Sequence, residues 1–170
     1  LLGELLKGRK GVTVLERTDQ PLAEDLPLMR EVRACVSKCI ENGLARDGAL
    51  PYPAYAVYAK SQHIPLLYSG SFGLGSRDLQ PEAIIGAIEN MLPQGAKKKF
   101  FYLSIDFLRE QAVTPKQETW QQAIEEGYPR IRELSVRGSE NPNLMPTGSI
   151  TVRFHSVGGW GAITTGKNLA

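Results

Sequence analysis

The run Gly11-Val-Thr-Val-Leu-Glu16 is short, β-branched and bounded by basic and polar residues, which predicts a strand buried in a parallel sheet. A stretch rich in Asp, Gln, Pro and Glu follows, from Thr18 to Asp25. Apolar residues then recur at helical spacing from about Leu28 to Asn42, and Gly43 comes next, a residue suited to a left-handed helix end. Asp47 to Pro53 is rich in turn residues, and Tyr55 to Ala59 suits either a short strand or one helical turn. Ile64 to Ser69 predicts a second buried strand. The Gly-rich loop Gly70 to Ser76 leads from it toward a helix that has Pro81 in its first turn and runs to about Leu92. Phe100 to Ser104 predicts a third strand.

Strand, loop and helix thus alternate, with Gly-rich or polar loops after the strands, and this order predicts an α/β domain with a mostly parallel sheet over residues 1–110. From 111 to 147 the pattern breaks at Thr114-Pro115 and Tyr128-Pro129, leaving one short helix at about 116–127 and an exposed turn from Gly138. This stretch reads as a linker. Near residue 148 a second α/β unit is expected to start, with a strand over 149–155 that leads into Gly158-Gly-Trp-Gly161. The chain opens on Leu1-Leu2-Gly3, with no Met and no signal-like segment, as expected of a piece of something longer.

Composition narrows the function classes. Twenty basic and 18 acidic residues are mixed along the chain, for a formal charge of +2, so no strong field draws nucleic acid or anionic lipid. The basic run Lys97-Lys98-Lys99 leads straight into an apolar run and reads as a solvated strand start. No stretch approaches the roughly 18 consecutive apolar residues of a membrane span, so a soluble protein is expected. The only cysteines, Cys35 and Cys39, share one helix face at a spacing poor for a disulfide and unlike that of cluster or zinc ligands. They read as buried thiols in a reducing, cytoplasmic setting.

Candidate chemistry is sparse. The loop from Gly70 to Gly75 has neither P-loop nor dinucleotide spacing, and it suits a structural turn or a phosphate cradle. The turn Gly158 to Gly161 is closer to the dinucleotide type, and Lys167 and Asn168 follow it; it admits phosphate contact or close helix–strand packing. His63 and His155 lack carboxylates or thiols at ligand spacing. Glu16, Arg17 and Asp19 end the first strand, on the edge where open parallel sheets form sites, and admit a local ion pair or turn contact as well. Trp120 and Trp160 read as packing anchors.

The run Val14-Leu-Glu-Arg-Thr-Asp-Gln-Pro21, with Leu26-Pro27-Leu28 after it, resembles the pattern V-L-D-R-T-K-E-P, then E-P-L, of the pyruvate:ferredoxin (2-oxoacid:ferredoxin) oxidoreductases. Phe72 to Ile85 is similar to that family's Y-G-L-S-S-K-x-F-T-P segment, keeping Gly73, Leu74, Ser76, Arg77 and Pro81. The tail from Val152 resembles F-Y-G-L-G-x-D-G-T-V-G-A-N-K-N, sharing Phe154, Gly158, Gly161, Lys167 and Asn168, while Ser156, Trp160 and Thr164 depart from it. The three segments stand in the family's order.

In such enzymes a 2-oxoacid is oxidatively decarboxylated to an acyl-coenzyme A, with thiamine diphosphate, magnesium and iron–sulfur clusters as cofactors and ferredoxin or flavodoxin as electron acceptor. The resemblance implies that residues 1–110 match a transketolase C-terminal-like (Rossmann-like) domain. It further implies that 148–170 opens the gamma-type domain that holds coenzyme A, with Gly158, Gly161, Lys167 and Asn168 at its phosphates. No thiamine diphosphate or cluster motif lies in this chain, so no catalytic or metal residue is assigned and the cofactors belong to the rest of the parent, itself expected to be a homo-oligomer. A stand-alone α/β binding or interaction module is the alternative, since fold and function separate readily.

Overall fold

The structure is a computed structural model that describes residues 1–46, 48–74, 77–105, 114–150 and 167. Three strands, β1 (Gly11–Glu16), β2 (Leu66–Ser71) and β3 (Phe100–Tyr102), form a parallel sheet in the order β1-β2-β3. Helices α1 (Leu2–Leu6), α2 (Pro27–Leu44), α3 (Pro81–Met91), α4 (Pro115–Gly127) and α5 (Ile131–Leu134) surround it. This is a small α/β arrangement, a parallel sheet flanked by helices, as the alternation of elements predicts. No helix among the described residues is long and apolar enough to cross a membrane.

Both faces of the sheet are covered. On one, Val14 and Leu67 pack against Met29, Val32, Val36 and Cys39 of α2. On the other, Leu15 and Tyr68 pack against Ala83, Ala87 and Met91 of α3. Successive strand residues point to opposite faces, so β2 is buried on both sides, and Leu67 through Ser71 are all buried.

This arrangement departs from the usual topology. In a sheet ordered β1-β2-β3, two right-handed crossovers place both helices on one face. Here α2 and α3 lie on opposite faces, so one crossover has the other hand. The carbonyls of Lys10 and Glu16, in the same alternation as Val12 and Val14, accept from the Leu66 and Phe72 amides. Seen from the α2 face with the chain running upward, L-residues pointing at the viewer direct their carbonyls to the right, which places β2 to the right of β1. The first crossover is therefore right-handed and the second, through α3, left-handed.

Two buried asparagines tie the helices to the chain that follows them. Near the end of α2, the Asn42 Nδ2 donates to the carbonyls of Tyr52 (2.8 Å), Tyr55 and Ala56, and its Oδ1 accepts the Tyr52 amide at 2.9 Å. Near the end of α3, Asn90 exchanges two 2.9 Å bonds with the Lys98 backbone. Gly43 was expected as a left-handed cap. It is instead an ordinary residue of the last helical turn, and it is small because the Tyr58 carbonyl lies where a Cβ would be, 2.1 Å away. Residues 56–59 form neither strand nor helix; they pass in extended loop across the end of α2, with the Tyr58 amide donating to the Cys39 carbonyl. Gly70, read as part of a loop, is paired in β2, where Leu15 and Phe101 close over it.

Within the stretch read as a linker, α4 begins with a capping box between Thr114 and Gln117. Beyond α5 the Val136 amide bonds the Tyr102 carbonyl, which extends the sheet by one bridge and brings Ile131 and Val136 into the core. Trp120, expected as a packing anchor, is 44% exposed. Cys35 and Cys39 are buried free thiols, as their spacing predicts. The strand expected over 149–155 falls largely outside the described residues.

Candidate functional site

The parallel strands direct their carboxyl ends to one edge, where Glu16, Ser71 and Tyr102 stand side by side in register. All three point to the α2 face, in the same alternation as Val14 and Leu67. They form a polar row across the end of an apolar surface, and each holds a different part of the chain from Thr18 to Met29. The Glu16 carboxylate accepts the Leu28 amide at 2.7 Å and the Met29 amide at 3.0 Å, so it caps α2 from outside the helix and satisfies two amides that lack carbonyl partners. The Ser71 hydroxyl donates to the Thr18 carbonyl at 2.5 Å. The Tyr102 hydroxyl donates to Asp19, 3.3 and 3.4 Å from its two oxygens.

Beside this row lies a cavity of about 260 Å³, walled by Asp19, Glu24, Asp25, Leu26, Phe100 and Tyr102 among others. Asp25 bonds the Arg33 guanidinium at 2.5 Å. The Tyr102 phenol is pushed far above the usual tyrosine range, first by burial and then by the negative charge of Asp19. It is therefore a permanent hydrogen-bond donor at neutral pH, suited to holding the Asp19 carboxylate rather than to proton transfer.

Comparison with protein-family models, curated proteins and solved structures gives no match.

The residues named from sequence fall in different places. Gly158, Gly161, Asn168 and His155 lie outside the described residues, and Lys167 is exposed. Of the first Gly-rich loop, Gly75 and Ser76 also lie outside. Gly73 adopts φ +83°, and a Cβ there would meet the Arg17 side chain at 2.5 Å, so it serves a tight turn beneath that arginine. His63 sits in a short 3-10 turn that precedes β2, at the other end of the sheet, edge-on to the Tyr58 ring. No group of three His, Cys, Asp or Glu suited to a metal occurs among the described residues.

Of the Glu16, Arg17 and Asp19 trio, Glu16 and Asp19 do meet partners at the carboxyl edge, through helix amides and a tyrosine rather than through an ion pair. Sequence reasoning missed Ser71 and Tyr102. The period-two alternation that places Tyr102 on the same face as Glu16 was available, but the pairing register that sets them side by side was not. The lysine run has structural partners too: the Lys98 Nζ donates to the Ser135 carbonyl at 2.8 Å, and the Lys99 Nζ lies 4.2 Å from the centre of the Tyr68 ring.

Proposed function

We propose that this chain is an internal, structural part of a 2-oxoacid:ferredoxin oxidoreductase, pyruvate being the expected substrate, and that its α/β domain corresponds to the transketolase C-terminal-like domain of those enzymes. The observation that carries this reading is how the residues of the first resemblance are used. Glu16, at the motif's acidic position, gives its carboxylate to the start of α2, and the Thr18 carbonyl accepts from Ser71, while Asp19, where the family pattern has Lys, accepts from Tyr102. An acidic motif position that caps a helix fits a domain that supports catalysis carried out elsewhere in a larger enzyme.

In this reading thiamine diphosphate, magnesium and the iron–sulfur clusters are held by other domains or subunits, and ferredoxin or flavodoxin docks there. Residues 148–170 open the domain that holds coenzyme A, with Lys167 the charged contact among Gly158, Gly161 and Asn168.

The test is to tag the gene in its natural host and isolate the product at its natural length. The expected result is a protein much larger than 170 residues that contains iron and thiamine diphosphate and reduces ferredoxin when given pyruvate and coenzyme A. A product of about this length that supports no such reduction would overturn the reading.

A further inference from the structure

We propose that the cavity at the carboxyl edge of the sheet binds a small organic cation, an alkylguanidinium or alkylammonium ion. Its lining among the described residues includes three carboxylates and two aromatic rings, with no Lys, Arg or His. The Arg33 guanidinium offsets Asp25, which leaves Asp19 and Glu24 as the charges a ligand meets. The long, shared bond from the Tyr102 hydroxyl orients the Asp19 carboxylate and leaves lone pairs on both oxygens for a second donor.

The part-exposed Phe100 ring supplies a second and independent attraction, while Tyr102, buried in the core, contributes mainly its hydroxyl. Phe100 and Tyr102 stand 5.0 Å apart at 88°, edge to face, so the two ring faces look in perpendicular directions. Aromatic faces carry negative potential and favour a cation laid against them, while Leu26, Leu134 and Pro21 offer an apolar wall for an alkyl chain. An anion would be repelled here, and a neutral donor would gain hydrogen bonds from the carboxylates without the attraction between charges. A guanidinium satisfies both walls at once, because its fork matches a carboxylate and its plane stacks on a ring. The volume lies just below the roughly 300 Å³ at which drug-sized sites begin, which suits one short alkyl cation. The site also occupies the edge where open parallel sheets bind ligands. None of this depends on the oxidoreductase reading.

The experiment is a titration of the ¹⁵N-labelled chain at low ionic strength with N-butylguanidinium, and in parallel with N-butylurea, its neutral near-isostere. Amide signals of residues 19–26 and 100–103 are expected to move and saturate with the cation, at concentrations at least about tenfold below any response to the urea. Asp19→Asn should remove most of that difference. Phe100→Leu, which keeps apolar bulk and loses the ring, should weaken the cation about three- to tenfold while leaving the urea response alone. Equal responses to the two probes, or shifts spread over unrelated surface carboxylates such as Glu125 and Glu133, would overturn the proposal. So would a Phe100→Leu variant that binds the cation as the parent does, and this arm decides the matter if Asp19→Asn fails to fold.

Discussion

The Glu16 carboxylate and the Met29 amide lie 3.0 Å apart, joining the end of β1 to the first turn of α2 across thirteen residues of chain. Leu26, the residue at the N-cap position, has no side chain able to cap the helix, so Glu16 takes over that task from the strand. Because Glu16 is nearly buried, its loss would leave two amides without a strong acceptor. Glu16→Gln keeps the shape and one acceptor oxygen, and should cost about 1–2 kcal/mol; Glu16→Ala should cost about 2–4 kcal/mol. Urea unfolding of both variants measures this, and equal, negligible losses would show that the helix start is held by packing alone.

Asn42 makes four hydrogen bonds from a side chain that is 2% exposed. Asn42→Ala should therefore destabilise by about 2–3 kcal/mol, since buried backbone groups of the loop would be left unpaired. Asn42→Asp offers an acceptor but no donor to three carbonyls, and should be at least as harmful. Hydrogen exchange gives the local check: the Tyr52 amide, protected in the parent, should exchange faster in both variants than the remote amides of β3.

Much of this architecture was legible in the order of elements. Strand, helix, strand, helix, strand follows from where the β-branched runs and the 3.6-residue periods fall, and the three strands predicted within residues 1–110 lie within two or three residues of their observed positions. Handedness was not legible. Nothing local in Leu79, Pro81 or Ala83 states which face of the sheet α3 will cover; that depends on which side of Tyr68 and Leu15 stays open once α2 has taken the other. Gly43 misled for a related reason. A glycine at a helix end has two causes, a left-handed turn or a crowding neighbour, and the neighbour here, Tyr58, lies fifteen residues on. At the candidate site, Glu16 and Asp19 could be named from the strand end, whereas Ser71 and Tyr102 needed the register of two parallel pairings. Gly158, Gly161 and Asn168 rest on the sequence and its resemblance, since they lie outside the described residues.

The glycines separate into those that a methyl group would clash with and those it would not. At Gly86 a Cβ would sit 2.6 Å from the backbone of Arg137, which crosses α3 at that point, and at Gly43 it would meet the Tyr58 carbonyl. Alanine at either position should cost several kcal/mol, because backbone rather than a flexible side chain would have to move. At Gly127, the last residue of α4, nothing lies within 4 Å and φ is not positive. Gly127→Ala should stabilise by about 0.4–1 kcal/mol by restricting the unfolded chain. Melting temperatures should move in opposite directions for the two classes, and a drop for Gly127→Ala would contradict this.

Under the oxidoreductase reading, Lys167→Ala in the full-length enzyme should raise the coenzyme A concentration for half-saturation about 10- to 100-fold, as loss of a charge-assisted phosphate contact does. Thiamine-dependent decarboxylation should barely change, because it precedes acyl capture. An unchanged coenzyme A dependence with a lowered melting temperature would instead assign Lys167 to packing.

Alkaline pH should unfold this domain through two tyrosines. Burial raises the Tyr58 phenol to about 12, and burial with the Asp19 charge raises Tyr102 further. Both hydroxyls are donors in the fold, Tyr58 to the Gly3 carbonyl at 2.7 Å and Tyr102 to Asp19, and a phenolate can do neither. The sign follows from linkage: a tyrosine whose pKa is higher folded than unfolded binds its proton more tightly in the native state. Its stabilising contribution is thus fully present below about pH 10, the unfolded value, and is lost as pH rises through the folded one. Stability measured by urea unfolding should fall between about pH 10 and 12. Tyr58→Phe and Tyr102→Phe should each flatten that fall, at the cost of a hydrogen bond near neutral pH. Absorbance near the tyrosinate band offers an independent reading: Tyr58 and Tyr102 should ionise late and together with unfolding. If Tyr58 and Tyr102 titrate near the ordinary tyrosine value while the fold persists, their phenols are not the groups that hold α1 and the β1–α2 loop in place.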